Sequence, residues 1–175
     1  MKKSLLLVGI VLAVLIGCKT STALNPEKTI AIAFEPKSES NVMGTATFIE
    51  KNGKVTLIAK ITGLTPGVHA IHIHEKSDCT AADGSSAGGH WNPTFKKHGK
   101  LGEGEAHRGD IGNFTADSKG NGTITFTTDE WGIGSADETK NILGKGLIVH
   151  QGSDDYVSQP AGNAGNRVAC SAIIQ

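Results

Sequence analysis

Six of the seven histidines, with one aspartate, carry most of the chemistry that this 175-residue sequence offers. His72 and His74 stand two apart in the run from Val68 to Glu75, so on a strand both project from one face. His69 has the opposite parity and points away from them. His90, His98 and His107 fall in or at the end of a stretch, residues 76–106, rich in glycine and without strand or helix period. Asp110 follows His107 by three, and His150 closes a later strand. Imidazoles favour copper or zinc: three with one carboxylate fill a tetrahedral zinc site, and four suit the tetragonal preference of Cu(II). An unpatterned loop of about 30 residues is uncommon in a compact domain, and bound metal gives it a reason to exist.

The elements that must position these groups read as strands. Ile30, Ile32 and Phe34 alternate with Ala31 and Ala33. A second run, 42–50, is joined through Asn52-Gly53 to a third, 54–62, where Val55, Leu57, Ala59 and Ile61 alternate with mostly polar residues. Asn-Gly between two alternating runs signals a hairpin. Thr65-Pro66-Gly67 turns the chain into the histidine-bearing strand. Further strands are predicted over 109–116, 122–128, 147–150 and 168–174, and helical patterning is confined to a weak stretch around Ser135 to Leu143. About eight short strands separated by turn signals imply an all-β sandwich or barrel.

Seventeen basic and 17 acidic residues balance, and no basic stripe suggests nucleic acid as a partner. Met1-Lys2-Lys3 precedes an apolar run, Leu5 to Ile16, that is shorter than the roughly 20 residues needed to cross a bilayer. It reads as a signal peptide. Leu15-Ile16-Gly17-Cys18 resembles the lipobox of bacterial lipoproteins, which implies cleavage before Cys18 and lipid on its thiol. The chain thus divides into a leader (1–17), a lipidated cysteine and tether (18–27) and a folded domain (28–175). Loss of Lys2 and Lys3 with the leader leaves 15 basic and 17 acidic residues, a formal charge of −2. Lys19 stands where Asp commonly retains lipoproteins at the inner membrane, which favours the outer one. Cys79 and Cys170 remain as an even pair in an oxidising compartment. A bridge between them would contribute roughly 4–5 kcal/mol in the chain-entropy model; two buried free thiols are the alternative. Nothing in the pattern of apolar residues decides between a monomer and a homodimer.

The run Val68-His69-Ala70-Ile71-His72-Ile73-His74-Glu75 resembles the copper-binding strand of the Cu,Zn superoxide dismutase family. Gly88-Gly89-His90-Trp91-Asn92-Pro93, Lys97-His98-Gly99 and His107-Arg108-Gly109-Asp110-Ile111-Gly112-Asn113 are similar to its zinc-loop motifs. Gly162-Asn163-Ala164-Gly165-Asn166-Arg167-Val168-Ala169-Cys170 is similar to its C-terminal signature. The resemblance runs from about Thr29 to the end. It implies an eight-stranded antiparallel Greek-key β-barrel or sandwich, immunoglobulin-like, with long metal-binding and electrostatic loops.

Position by position, the resemblance implies copper on His72, His74, His90 and His150, and zinc on His90, His98, His107 and Asp110. A histidine that loses both ring protons can offer one nitrogen to each metal, so His90 can serve twice. Asp154 is expected to accept hydrogen bonds from one ligand of each metal, and Arg167 to dock a small anion. The implied reaction is dismutation of superoxide to dioxygen and hydrogen peroxide by redox cycling of copper, protecting the cell envelope from oxidants. The rival reading is a non-enzymatic periplasmic copper- and zinc-binding protein on the same fold. Residues 151–160 lack the Glu- and Lys-rich steering stretch of eukaryotic members; Lys96, Lys97 and Lys100, which flank His98, are candidates for steering the substrate, with solvated loop lysines as the favoured reading.

Overall fold

The computed structural model describes residues 26–175. The expected leader, Cys18 and most of the tether lie outside the described residues. Among the described residues eight strands form: β1 (Lys28–Pro36), β2 (Met43–Lys51), β3 (Lys54–Thr62), β4 (Gly67–His74), β5 (Gly112–Ala116), β6 (Gly122–Thr128), β7 (Lys145–His150) and β8 (Arg167–Ile173). All neighbours are antiparallel, and the sheet closes in the order β1-β2-β3-β6-β5-β4-β7-β8. Because β3 pairs with β6 and β4 with β7, the connections β3–β4 and β6–β7 cross as in a Greek key. Closure is narrow at two seams, where β1 meets β8 only at Glu35–Cys170 and Pro36–Ala169 and β5 meets β6 only at Ala116–Gly122.

Alternation sets which residues enter the barrel. Ile30, Ile32 and Phe34 of β1, Ala46 and Phe48 of β2, and Val55, Leu57, Ala59 and Ile61 of β3 are all buried in one core. The register puts Ile30 opposite Phe48, and Phe48 opposite Leu57, so large apolar groups meet across strands. Asn52 and Gly53 both have positive φ, 52° and 74°, which suits the tight hairpin between β2 and β3.

Two expectations shift. The fifth strand starts at Gly112 rather than residue 109, because the backbone of Gly109 bonds instead to Ile73 and Trp91. Residues 135–143 form turns and no helix. There the Asp137 carboxylate accepts from the N–H and hydroxyl of Thr139, a local bond that competes with helical pairing. The segment after β6 covers the barrel core with Trp131, Ile133 and Ile142, and the Trp131 ring meets Phe48 edge-on at 6.2 Å.

On β4, Ile71 and Ile73 join the barrel core, so His72 and His74 face outward. On β7, Leu147 and Val149 enter the core while Ile148 packs outside with Ala87 and Cys170. His150 shares the outward parity of Ile148. The site is therefore built on the outer wall of the barrel, beneath two loops, residues 75–111 and 151–166. Truncation of the central core residue, Phe48→Ala, is expected to cost about 3–5 kcal/mol of stability, read by urea unfolding at fixed metal content.

Candidate metal centre

The disulfide joins Cys79 to Cys170, with Cα atoms 5.8 Å apart, and fastens the first loop to β8. Beyond it the loop returns to β4. Trp91 N–H donates to Ile73 O at 2.9 Å, Ile73 N–H to Gly109 O at 2.9 Å, and Gly109 N–H to Trp91 O at 3.0 Å. This approach needs glycine, since a Cβ on Gly109 would lie 2.1 Å from Ile73 O. The result pairs His90 with His74 in a β-bridge and lays the His90 ring 4.1 Å from that of His72, centroid to centroid.

Two clusters follow, each with candidate ligand atoms within 4.8 Å of one another: His72, His74, His90 and His150, then His90, His98, His107 and Asp110. All are buried, and His90 belongs to both. His69 belongs to neither. It occupies the inner parity of β4, its ring between Thr65 O at 2.8 Å and His150 O at 3.0 Å.

Four of the rings are each oriented by a fixed acceptor. His72 Nε2 donates to Asp154 Oδ2 at 2.8 Å, and His98 Nε2 to Asp154 Oδ1 at 2.9 Å. His74 Nδ1 donates to Gly88 O at 2.9 Å, and His150 Nδ1 to Gly165 O at 3.3 Å. Those bonds place the protons and leave the opposite nitrogens facing each other. His72 Nδ1, His90 Nε2, His98 Nδ1 and His107 Nδ1 are buried without a well-aligned hydrogen bond, the last two standing 3.0 and 3.2 Å from the Asp110 carboxylate. A buried polar atom left so costs about 1–3 kcal/mol, and four converging on two points is a poor arrangement for protein alone. Lone pairs of imidazole with one carboxylate are the donor set for copper and zinc, so the residues present fit both ions.

Electrostatics agree for the rings of the first cluster that show a shift. Burial, then the neighbouring histidines, push His74 and His150 well below the ordinary histidine value. Burial also lowers His90, to about 4, although its contact with Asp110 opposes this. These imidazoles are neutral, as ligands must be. For His98 burial is outweighed by Asp110 and Asp154, which raise it to about 9. Burial opposes ionisation of both aspartates too. The histidine contacts prevail and hold Asp110 and Asp154 well below the usual carboxylate range. His90 Nδ1, His98 Nδ1 and His107 Nδ1 crowd the Asp110 carboxylate at 2.8, 3.0 and 3.2 Å, while Gly99 N–H and His107 N–H fix its Oδ2.

Beside the first cluster lies a cavity of about 500 Å³, lined by His74, His90, His150 and Arg167 among others. Arg167 Nη1 and Nη2 donate to Gly84 O at 2.7 Å and Gly88 O at 2.8 Å, which fixes the guanidinium at its wall. None of Lys96, Lys97 and Lys100 lines this cavity. Lys96 lines a separate groove with Lys54 and Glu105, and Lys100 pairs with Glu103.

Three supporting residues carried no assigned role in the sequence. Asn113 bonds both backbone groups of Asp154, each at 2.8 Å. Gly162, at φ 65°, leaves the space in which Asp154 reaches His98. A Cβ there would sit 1.8 Å from Asp154 Oδ1 and 2.6 Å from His98 Nε2. Gln159 bonds the backbone of His98. Asn113 and Gly162 lie inside the motifs quoted above, but only the folded geometry shows what they touch.

A family model described as copper/zinc superoxide dismutase matches residues 42–173. Superoxide dismutase [Cu-Zn] 2 of Aquifex aeolicus is 41% identical over 145 residues, 78% of this chain and 81% of that protein. Superoxide dismutase [Cu-Zn] 1 of the same organism is 37% identical over 161 residues, 83% and 92% of the two chains. The crystal structure of the clock protein EA4 superposes with a TM-score of 0.70 at 36% identity, covering 81% of this chain and 91% of that one. Substitution Gly162→Ala is expected to displace Asp154 and weaken binding of both metals by roughly 10–100-fold, measured by chelator competition.

Proposed function

The chain belongs to the copper/zinc superoxide dismutase family, and on that premise we propose how its own residues divide the work. His72, His74, His90 and His150 hold copper; His90, His98, His107 and Asp110 hold zinc. The family's activity converts two superoxide anions and two protons into dioxygen and one hydrogen peroxide. The observation that carries the assignment is the pair of buried clusters that share His90, whose candidate ligand atoms converge within 4.8 Å and include the unbonded His72 Nδ1 and His90 Nε2.

Copper bound there would supply the one-electron couple, since zinc has no redox chemistry. The protein supplies the rest. Arg167 stays cationic at any working pH and presents its guanidinium to the cavity, where a small anion can dock. Two carbonyls hold it still, so docking needs no reordering of the side chain. His90 Nε2 is the atom placed to hand a proton to the departing peroxide, because its other nitrogen is held beside Asp110 at 2.8 Å. Asp154 keeps the His72 and His98 rings in one tautomer throughout. Positive potential at Arg167 raises the encounter rate with an anionic substrate, and added salt screens it.

The working place is the cell envelope, where the protein scavenges superoxide before it reaches other envelope components. The leader and the lipobox-like Leu15-Ile16-Gly17-Cys18 support export and lipid attachment at Cys18, with the outer membrane favoured by Lys19. The Cys79–Cys170 bridge supports an oxidising compartment.

Purified protein loaded with copper and zinc is expected to dismute superoxide fast and in a salt-sensitive manner. His150→Ala should abolish this while retaining zinc. A folded, fully metallated protein with no activity above free copper would instead leave it a metal-binding protein. In cell fractionation, Cys18→Ser is expected to move the protein from the membrane pellet to the soluble fraction.

A further inference from the structure

The ligands on the zinc side are not held alike. His90 is fixed by its bridge to β4, while Asp110 is fixed by Gly99 and His107 within its own loop. His98 is tied to the other loop at two places. Its ring Nε2 donates to Asp154 Oδ1 at 2.9 Å. Its backbone is clasped by the side chain of Gln159: Oε1 accepts from His98 N–H at 2.9 Å, and Nε2 donates to His98 O at 3.0 Å. The same Nε2 lies 3.2 Å from Val157 O, so the amide also closes its own loop.

Gln159 lines the cavity that holds Arg167, His74 and His150. One side chain therefore touches a zinc-side ligand, the wall of the copper-side cavity and the turn at 157–160. The reciprocal pairing needs an acceptor and a donor on one planar group, which an amide has and a carboxylate lacks.

We propose that Gln159 is a positioning residue for His98, and that through it zinc binding and ordering of residues 151–166 around the Arg167 cavity are coupled. Zinc fixes His98 Nδ1, the clasp carries that constraint to residue 159, and the cavity wall settles. The coupling is reciprocal: an ordered wall presents His98 already placed and raises zinc affinity. The inference rests on the zinc assignment proposed above.

The test uses copper-free protein with Gln159→Glu, which keeps the acceptor and loses both donors, and Gln159→Asn, which keeps the amide one methylene short. Zinc affinity is measured by chelator competition, ligand geometry by the visible absorption of Co(II) in the zinc site, and ordering by hydrogen exchange over 151–166 with and without zinc. Both variants are expected to bind zinc roughly tenfold or more weakly, to shift the Co(II) bands and to lose the protection that zinc confers on the wild type. Zinc affinity within about twofold of wild type in both overturns the proposal. So does weakened affinity with zinc-induced protection intact, and so does a lower unfolding midpoint of metal-free protein with affinity and spectrum unchanged. If Gln159→Glu does not fold, Gln159→Asn decides. Failure of the wild type itself to bind zinc would overturn the metal assignment, a different result.

Discussion

The carboxylate of Asp154 is the contact on which the site depends. It takes one hydrogen bond from His72 and one from His98, and its Oδ1 also accepts from Tyr156 N–H at 2.7 Å. An anion buried this deeply is tolerable only because every one of these donors is aimed at it. In return it removes the freedom of two rings to flip or change tautomer. Without that constraint the lone pairs of His72 and His98 would have no fixed direction, and neither cluster would be a defined site. Asn113 on β5 bonds the Asp154 backbone on both sides, so the carboxylate inherits its position from the barrel rather than from its own loop.

The barrel and the loops divide the task unequally. β4 and β7 supply His72, His74 and His150 from a wall whose other face is close-packed core, where displacement is costly. His90, His98, His107 and Asp110 come from a segment with little regular structure and few buried apolar side chains of its own. That segment is held by the Cys79–Cys170 bridge, by backbone bonds at Ile73, Trp91 and Gly109, and by groups whose natural partner is a metal ion. Metal binding here is thus also loop folding, because a ligand set absent from the unfolded chain converts binding free energy into stability. The two ions are not equivalent in this respect. Copper would rest mainly on the preformed wall, zinc mainly on the loop.

Much of this was legible in the sequence. Alternation at Ile30, Ile32 and Phe34 and from Val55 to Ile61 located strands and their inward faces. Strand parity alone separated His72 and His74 from His69, which lies on the other face. The glycine-rich gap between strands marked the loop that needed an outside reason to exist. What stayed hidden shares one cause: contacts between residues far apart in sequence leave no local signature. Gly162 reads as one glycine among 23, yet it is the space through which Asp154 reaches His98. Asp154 and Asp155 are adjacent and chemically alike, and only the family resemblance preferred the first. In the fold Asp155 is exposed and caps its own turn through Val157 N–H and Ser158 N–H. The weak helical pattern after Ser135 misled because Asp137 satisfies Thr139 locally, which no hydrophobic period records.

The shared imidazole of His90 gives the arrangement its logic. Two separate sites of four ligands would need eight side chains; here seven suffice, and the shared one cannot respond to one ion without the other registering it. Interaction energies between groups in direct contact are non-additive, so the two sites form one thermodynamic unit. A proton passing through His90 Nε2 changes the charge of a ring whose Nδ1 stands against Asp110, and that carboxylate is tied in turn to Gly99 and His107. In the proposed mechanism the ring would gain and lose that proton in place because its other side is held beside Asp110. On the proposed assignment, the loop that the sequence left unpatterned is the part of the molecule that would sustain repeated turnover, with the barrel as the wall it is braced against.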